Sequence, residues 1–241
     1  MAFYDQSEFD IKCEWGIKGV EALAPISDAI VIVDVLSFST SIDIATDRGA
    51  FVFPYQWKNE SAIEYARSIG AELADPTRKA GVWSLSPASL TSIPAETKLV
   101  LPSPNGSTIS LATGKTPTFA GCLRNAQAVA QACLQIGKRI SVIAAGERWP
   151  DQTLRSAIED WIAAGVIISF LGGLLSPEAQ VAKDAFQASK ETLGERLRTC
   201  SSGKELIERG FMSDVEFAMQ FNVSTNVPIL KDGFYTSWRK K

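Results

Sequence analysis

Histidine is absent from all 241 residues. Any mechanism built on an imidazole base, a phosphohistidine or a His-ligated zinc is thereby excluded, and acid–base chemistry must come from Asp, Glu, Lys, Tyr, Cys or a metal-bound water. Cysteine is scarce as well. Cys13, Cys122, Cys133 and Cys200 are scattered and form no CxxC pair, so neither a zinc site nor a disulfide framework is expected. No stretch approaches the roughly 20 apolar residues of a membrane helix; the longest candidate, residues 161–175, is shorter and carries three glycines, so a membrane partner is not expected. No run of Lys and Arg is long enough to suggest a nucleic-acid footprint and the net charge is −3, so nucleic acid is not an expected partner. Residues 1–8 lack a basic-then-apolar leader pattern, and a cytoplasmic protein is expected.

With 46% hydrophobic and 21% charged residues, the composition is that of an ordinary globular protein long enough to bury a sizeable core. The densest signal is residues 29–50. A β-branched run, 29–33, has no polar residue, as in a strand covered on both faces. Asp34 stands at its end, followed by a Ser/Thr-rich turn from Ser37 to Ser41 and by helical spacing through Ile42 and Ala45 to a stop at Gly49. An acid at a strand end before a helix suits an anion or a metal-bound anion, and it equally suits a helix cap; the segment alone leaves both open.

The same unit recurs. Residues 98–101 run into Ser103-Pro104-Asn105-Gly106-Ser107, residues 117–120 into Gly121-Cys122-Leu123-Arg124-Asn125, and residues 139–145 into Gly146-Glu147-Arg148. Residues 9–15 alternate as a sheet-edge strand with one wet face, 59–70 is a capped helix, and 71–97 is irregular in the way of binding segments. The spacing predicts the strongest helix over 154–170 and a final extended piece over 227–230, before a tail ending in Lys240 and Lys241. Strands alternating with helices predict an α/β fold in three layers, α/β/α, with a mainly parallel or mixed sheet. One domain is expected over 1–241, any subdomain break falling near 115–140. If the strands are parallel, Asp34, Asn105, Arg124, Asn125 and Glu147 share one edge.

Several motifs fail on inspection. Leu36 stands where the DxD pair of haloacid-dehalogenase phosphatases needs its second acid. Cys133 and Arg139 keep a C-x5-R spacing, but Cys133 falls inside a predicted helix. Gly114-Lys115-Thr116 lacks the earlier glycine of a phosphate-binding P-loop, that position being Ile109. Asn105-Gly106-Ser107 reads either as a donor-rich anion loop or as a plain turn. Glu159 and Asp160 are adjacent on an apolar helix, so both cannot lie on a narrow wet face. Glu159 reads either as a hard-cation ligand beside Asp34 or as the surface partner of Arg155 at i−4.

Taken together, Val33-Asp34-Val35-Leu36-Ser37-Phe38-Ser39-Thr40-Ser41, Ser103-Pro104-Asn105-Gly106-Ser107, Gly121-Cys122-Leu123-Arg124-Asn125-Ala126, Ala145-Gly146-Glu147 and Ile158-Glu159-Asp160 resemble the 2-phosphosulfolactate phosphatase (ComB-like) family. Gly210-Phe211 with Asp214 is a further echo. The resemblance implies a Mg²⁺-dependent phosphatase that converts 2-phosphosulfolactate to sulfolactate and phosphate, a step towards coenzyme M, with a small phosphorylated acid as its partner and a homodimer left open. It places Asp34, Glu159 and Asp160 in catalysis, with Asp34 and Glu159 on the metal. Ser37, Asn105, Gly106, Ser107, Arg124, Asn125 and Glu147 are then candidates for phosphate or substrate. The chain departs from the family at Ser37, where Arg usually follows Asp-Val-Leu, and over residues 75–90. Arg124 or Arg148 would have to replace the missing cation. The alternative is a non-catalytic small-anion-binding protein that keeps the fold.

Overall fold

The computed structural model describes residues 4–79 and 81–238; Lys240, Lys241 and the first three residues of the N-terminal stretch lie outside the described residues. In chain order β1 (Ile11–Trp15) leads into α1 (Gly16–Leu23), β2 (Ala29–Val33) into α2 (Phe38–Asp47) and β3 (Phe51–Tyr55) into α3 (Glu60–Ile69). A short β4 (Glu72–Leu73) and a single-turn α4 (Pro87–Leu90) punctuate the irregular stretch. Then β5 (Lys98–Pro102) precedes α5 (Gly106–Leu111), β6 (Thr118–Gly121) precedes α6 (Ala126–Ile136), and β7 (Ile140–Ala144) precedes a small ribbon of β8 (Glu147–Arg148) and β9 (Leu154–Arg155). The helices α7 (Ile158–Ser169), α8 (Pro177–Ser189), α9 (Leu193–Thr199), α10 (Ser201–Glu208) and α11 (Met212–Ala218) follow, and β10 (Pro228–Lys231) and β11 (Phe234–Ser237) form a closing hairpin.

Nine strands make one sheet in the order β1-β7-β2-β6-β10-β11-β3-β5-β4. The strands β1, β7, β2 and β6 run parallel to one another, and so do β3, β5 and β4. Between the two groups lies the hairpin, antiparallel to β6 on one side and to β3 on the other. Three successive antiparallel pairings reverse the second group relative to the first. The fold is thus α/β with a mixed, mostly parallel sheet flanked by helices, as the alternation of elements predicts.

Layering follows from the all-apolar β2. Its Ala29, Val31 and Val33 join the core formed with α6 and α7, while Ile30 and Ile32 pack with Val20 and Leu23 of α1 and Ile109 of α5. Alternate side chains feed opposite faces, so a strand sandwiched between two helix layers has no place for a polar residue. Local caps set the ends: Asn59 accepts from the Ser61 N–H at 3.1 Å at the start of α3, and Gly70 ends that helix in the left-handed region at φ 61°.

Three expectations change. The strand β1 is an edge strand, but α1 and α8 cover it and Ile11, Lys12 and Cys13 are all buried, so its wet face is not wet. The helix expected from 154 begins at Ile158, because Leu154 and Arg155 pair across the ribbon with Arg148 and Glu147 instead of extending the helix by a turn. That removes the i−4 relation of Arg155 to Glu159 as a surface helix pair. The final extended piece is half of a hairpin turned at Asp232-Gly233, both with positive φ, an Asp-Gly turn that the sequence carries openly.

Close approach of α7 and α8 depends on Gly165, where a Cβ would run into the Ala182 carbonyl. Backbone cannot rotate aside, so Gly165→Ala is expected to cost about 1–3 kcal/mol and to lower the melting temperature by roughly 2–4 °C per kcal/mol for a chain of this size. An unchanged thermal melt would show that the two helices part freely.

Candidate functional site

Asp34 follows the last residue of β2 and is 7% exposed. It is both a cap and a site residue. Its Oδ1 accepts from the Phe38 N–H at 3.3 Å at the start of α2, and its Oδ2 accepts from the Gly106 N–H at 2.9 Å at the start of α5. A Cβ on residue 106 would sit within the Phe38 ring and 2.7 Å from Asp34 Oδ2, so only glycine lets this amide reach the carboxylate. Asp34 and Gly106 thereby join the two halves of the sheet. The shared carboxyl edge is real for β2, β6 and β7, whereas β5 belongs to the reversed group, and its Asn105 and Gly106 arrive through this contact instead.

Three more acids gather behind and beside Asp34. Glu147 accepts from Asn105 Nδ2 at 2.7 Å, and Asn105 Oδ1 in turn accepts from Arg148 Nε at 3.1 Å, which locks the ribbon to the Asn-Gly loop. Asp160 is buried, with Oδ1 accepting from the Val35 N–H at 2.8 Å and Oδ2 from the Gly146 N–H at 2.9 Å. It ties the loops after β2 and β7 together. Glu159 is also buried, and its charge helps push up the nearby Cys200 thiol, whose burial is the larger cause.

A cavity of about 300 Å³ opens over this cluster. Asp34 and Glu147 form its acidic wall, together with Ser37, Ser103 and Asn105, rather than Glu159 or Asp160. Glu205 lines the cavity too, as do Lys58, Arg78, Arg148 and Arg209. Arg148 is committed to Asn105 and to the Pro104 and Gln152 carbonyls. Arg78, from the irregular stretch, pairs through Nη1 with the buried Asp214 at 2.5 Å and reaches Ser37 Oγ with Nη2 at 3.4 Å. A guanidinium therefore does stand beside Ser37, although neither Arg124 nor Arg148 supplies it.

The remaining predicted residues lie elsewhere. Arg124 donates from Nε to Asp43 Oδ2 at 2.9 Å and contacts Gln220; Asn125 takes the Cys122 N–H and turns its amide to Asp43. Ser224 and Asn226 also bond Asp43, making a polar knot between α2, the loop after β6 and the segment before β10. Ser107 is buried and its hydroxyl donates to the Leu101 carbonyl. Sequence reading missed Arg78, Lys58 and Arg209. Its single pointer to Arg78 was the irregularity of the loop that carries it.

Burial raises Asp34 to about 6, with the nearby Glu159 adding to the rise and the Phe38 and Gly106 amides opposing it. Burial likewise pushes Glu147 up to about 7, helped by Asp34 and Glu159. Asp160 is raised by burial first and then by Asp34 and Glu159. Acids that repel one another in a water-poor wall favour a bound cation. Among the described residues no three Asp, Glu or Cys side chains converge as a protein-only metal cage. A hard cation would therefore take one or two carboxylates here, Asp34 and Glu147 being those at the cavity, and complete its shell with water and ligand oxygens.

These features define an α/β protein with a pocket of acids and cations at the ends of its strands. The chain belongs to the 2-phosphosulfolactate phosphatase family, whose profile, described as 2-phosphosulpholactate phosphatase, matches residues 19–233. It is 32% identical over 210 residues, 86% of this chain and 88% of the relative, to the 2-phosphosulfolactate phosphatase of Methanothermobacter thermautotrophicus. It is 29% identical to a probable 2-phosphosulfolactate phosphatase of Carboxydothermus hydrogenoformans, with 83% and 85% of the two chains covered. A probable 2-phosphosulfolactate phosphatase of Symbiobacterium thermophilum is 25% identical over 84% of this chain and 91% of its own. No described helix is long and apolar enough to cross a membrane.

The raised acids make stability depend on pH. Asp34, Glu147 and Asp160 bind protons more tightly folded than unfolded, so their contribution is full below the ordinary carboxylate range near about 4 and is lost as pH rises through the folded values, about 6 for Asp34 and about 7 for Glu147. In chelator, the urea midpoint is expected to be higher at roughly pH 5 than at roughly pH 7.5, and Glu147→Gln is expected to flatten the difference by raising the value at the higher pH. Parallel pH profiles for the two proteins would contradict this.

Proposed function

We propose that the protein hydrolyses a small acidic phosphomonoester with Mg²⁺, and that its substrate is 2-phosphosulfolactate, giving sulfolactate and phosphate. The observation that carries this reading is the carboxylate of Asp34, fixed by the Phe38 and Gly106 amides at the wall of a cavity that Lys58, Arg78, Arg148 and Arg209 also line. Asp34 with a second acid of the cluster, Glu147 or the Glu159 that the resemblance suggests, would hold the ion, which when bound neutralises and orients phosphate oxygens. Water attacks phosphorus in line, the bond from phosphorus to the ester oxygen breaks, and the departing alkoxide must take up a proton. Glu147, pushed up to about 7, is placed to exchange that proton near neutral pH, and Asn105 holds it in position. Asp160 acts on the loop backbones rather than on the ligand.

A second reading, a small-anion-binding protein without turnover, draws on Asp34 having both oxygens already engaged by backbone amides. A colorimetric phosphate-release screen over small acidic phosphoesters, run with Mg²⁺ and with chelator, separates the two. Turnover that needs Mg²⁺ is expected, with 2-phosphosulfolactate the best substrate; tight binding of such an ester with no release would favour the binding protein. Asp34→Asn keeps the size of the side chain and is expected to lower kcat/KM by at least about 100-fold, a loss of some 2.7 kcal/mol of transition-state stabilisation, while leaving the far-ultraviolet circular dichroism unchanged. Retained activity in that variant would refute the assignment of Asp34.

A further inference from the structure

Two of the cations that line the cavity share one aromatic ring. Phe211, between α10 and α11, has two guanidiniums over its ring: Arg78 lies 5.4 Å and Arg209 5.6 Å from the ring centre. Both line the cavity. Like charges drawn to one aromatic ring repel each other unless an anion sits between or before them. Asp214, fully buried, is engaged through Oδ2 by Arg78 and through Oδ1 by Ser86, so its charge is spent on fixing Arg78 in place. Among the described residues the salt bridge of Arg209 is to Glu205, one helical turn away, more than half exposed and also at the cavity. Arg78 has five N–H groups, and among the described residues their acceptors are Asp214 and Ser37. A buried guanidinium, 10% exposed, thus keeps unused donors at the cavity.

We propose that Arg78 and Arg209, gathered on Phe211, hold a second anionic group of the ligand, a carboxylate or sulfonate, while its phosphate lies at the Asp34 end. This rests on the phosphatase reading above and names the residues that choose among phosphoesters. Arg78 supplies the fixed, forked contact and Arg209 the adjustable one. Ser37 leaves room for the Arg78 fork beside the strand-end loop.

Calorimetric titration in Mg²⁺ with two non-hydrolysable probes tests it: phosphonoacetate, which carries a carboxylate, and ethylphosphonate, which does not. The native chain is expected to bind phosphonoacetate at least about tenfold more tightly, and Arg78→Gln and Arg209→Gln each to erase most of that preference. Arg209→Gln leaves the Arg78–Asp214 pair intact and so stays informative should Arg78→Gln fail to fold; Arg78→Lys, which keeps charge without the fork, is expected to fall between. No preference in the native chain, no binding of either probe, or equal weakening of both probes in the variants would overturn the assignment, the last by placing the arginines on the phosphate. Preference for phosphonoacetate without phosphate release from any ester would refute the phosphatase reading and leave the anion anchor standing.

Discussion

Four carboxylates withdrawn from water, Asp34, Glu147, Glu159 and Asp160, repel one another, and the architecture around them is the means of keeping them together. Much of the compensation is backbone. Amides of Val35, Phe38, Gly106 and Gly146 point at Asp34 and Asp160, and each belongs to a loop where a strand gives way to the next element. Such amides are partial charges that cannot swing away, and they act at full strength where water is sparse. Cations that line the same cavity do the rest. A site built this way is preorganised for charge, with its acids already held in the spacing that a ligand and its counter-ion meet.

Much of this was open to reading in the chain. The polar-free β2, the acid at its end, the hydroxyl-rich turn and the recurring unit of strand, small loop and helix gave the fold class and drew attention to Asp34, Asn105, Gly106 and Glu147. What escaped has a common physical character. The hairpin of β10 and β11 was half seen, although Asp232-Gly233 announces its turn. Strand partners are set by tertiary pairing that periodicity does not contain. Leu154 and Arg155 fit a helical pattern and went to a ribbon for the same reason. Arg124 and Asn125 sit at the end of β6, as expected, but Asp43 on α2 is nearer to them than the cavity and takes their donors.

Arg78 is the instructive case. It sits 41 positions after Ser37, in a loop without periodicity, and reaches the cavity because Asp214 on α11 anchors it from 136 positions further on. A cation can thus stand beside Ser37 without being encoded next to it, since a ligand responds to the field and not to the residue's address. The Ser37 departure therefore weighs less against an acidic ligand than the motif alone suggests.

The position of the closing hairpin has a further consequence, for how the molecule comes into being. Residues 228–237 lie in the middle of the sheet, between β6 and β3. Until they are made, the two parallel groups each present an open edge, β6 in one and β3 in the other, with unpaired amides and carbonyls along it. A nascent chain of this kind holds two half-sheets that can pair with neighbours as readily as with their own missing strands. Correct assembly is therefore a matter of timing: the strands that close this seam are synthesised after every other strand of the sheet.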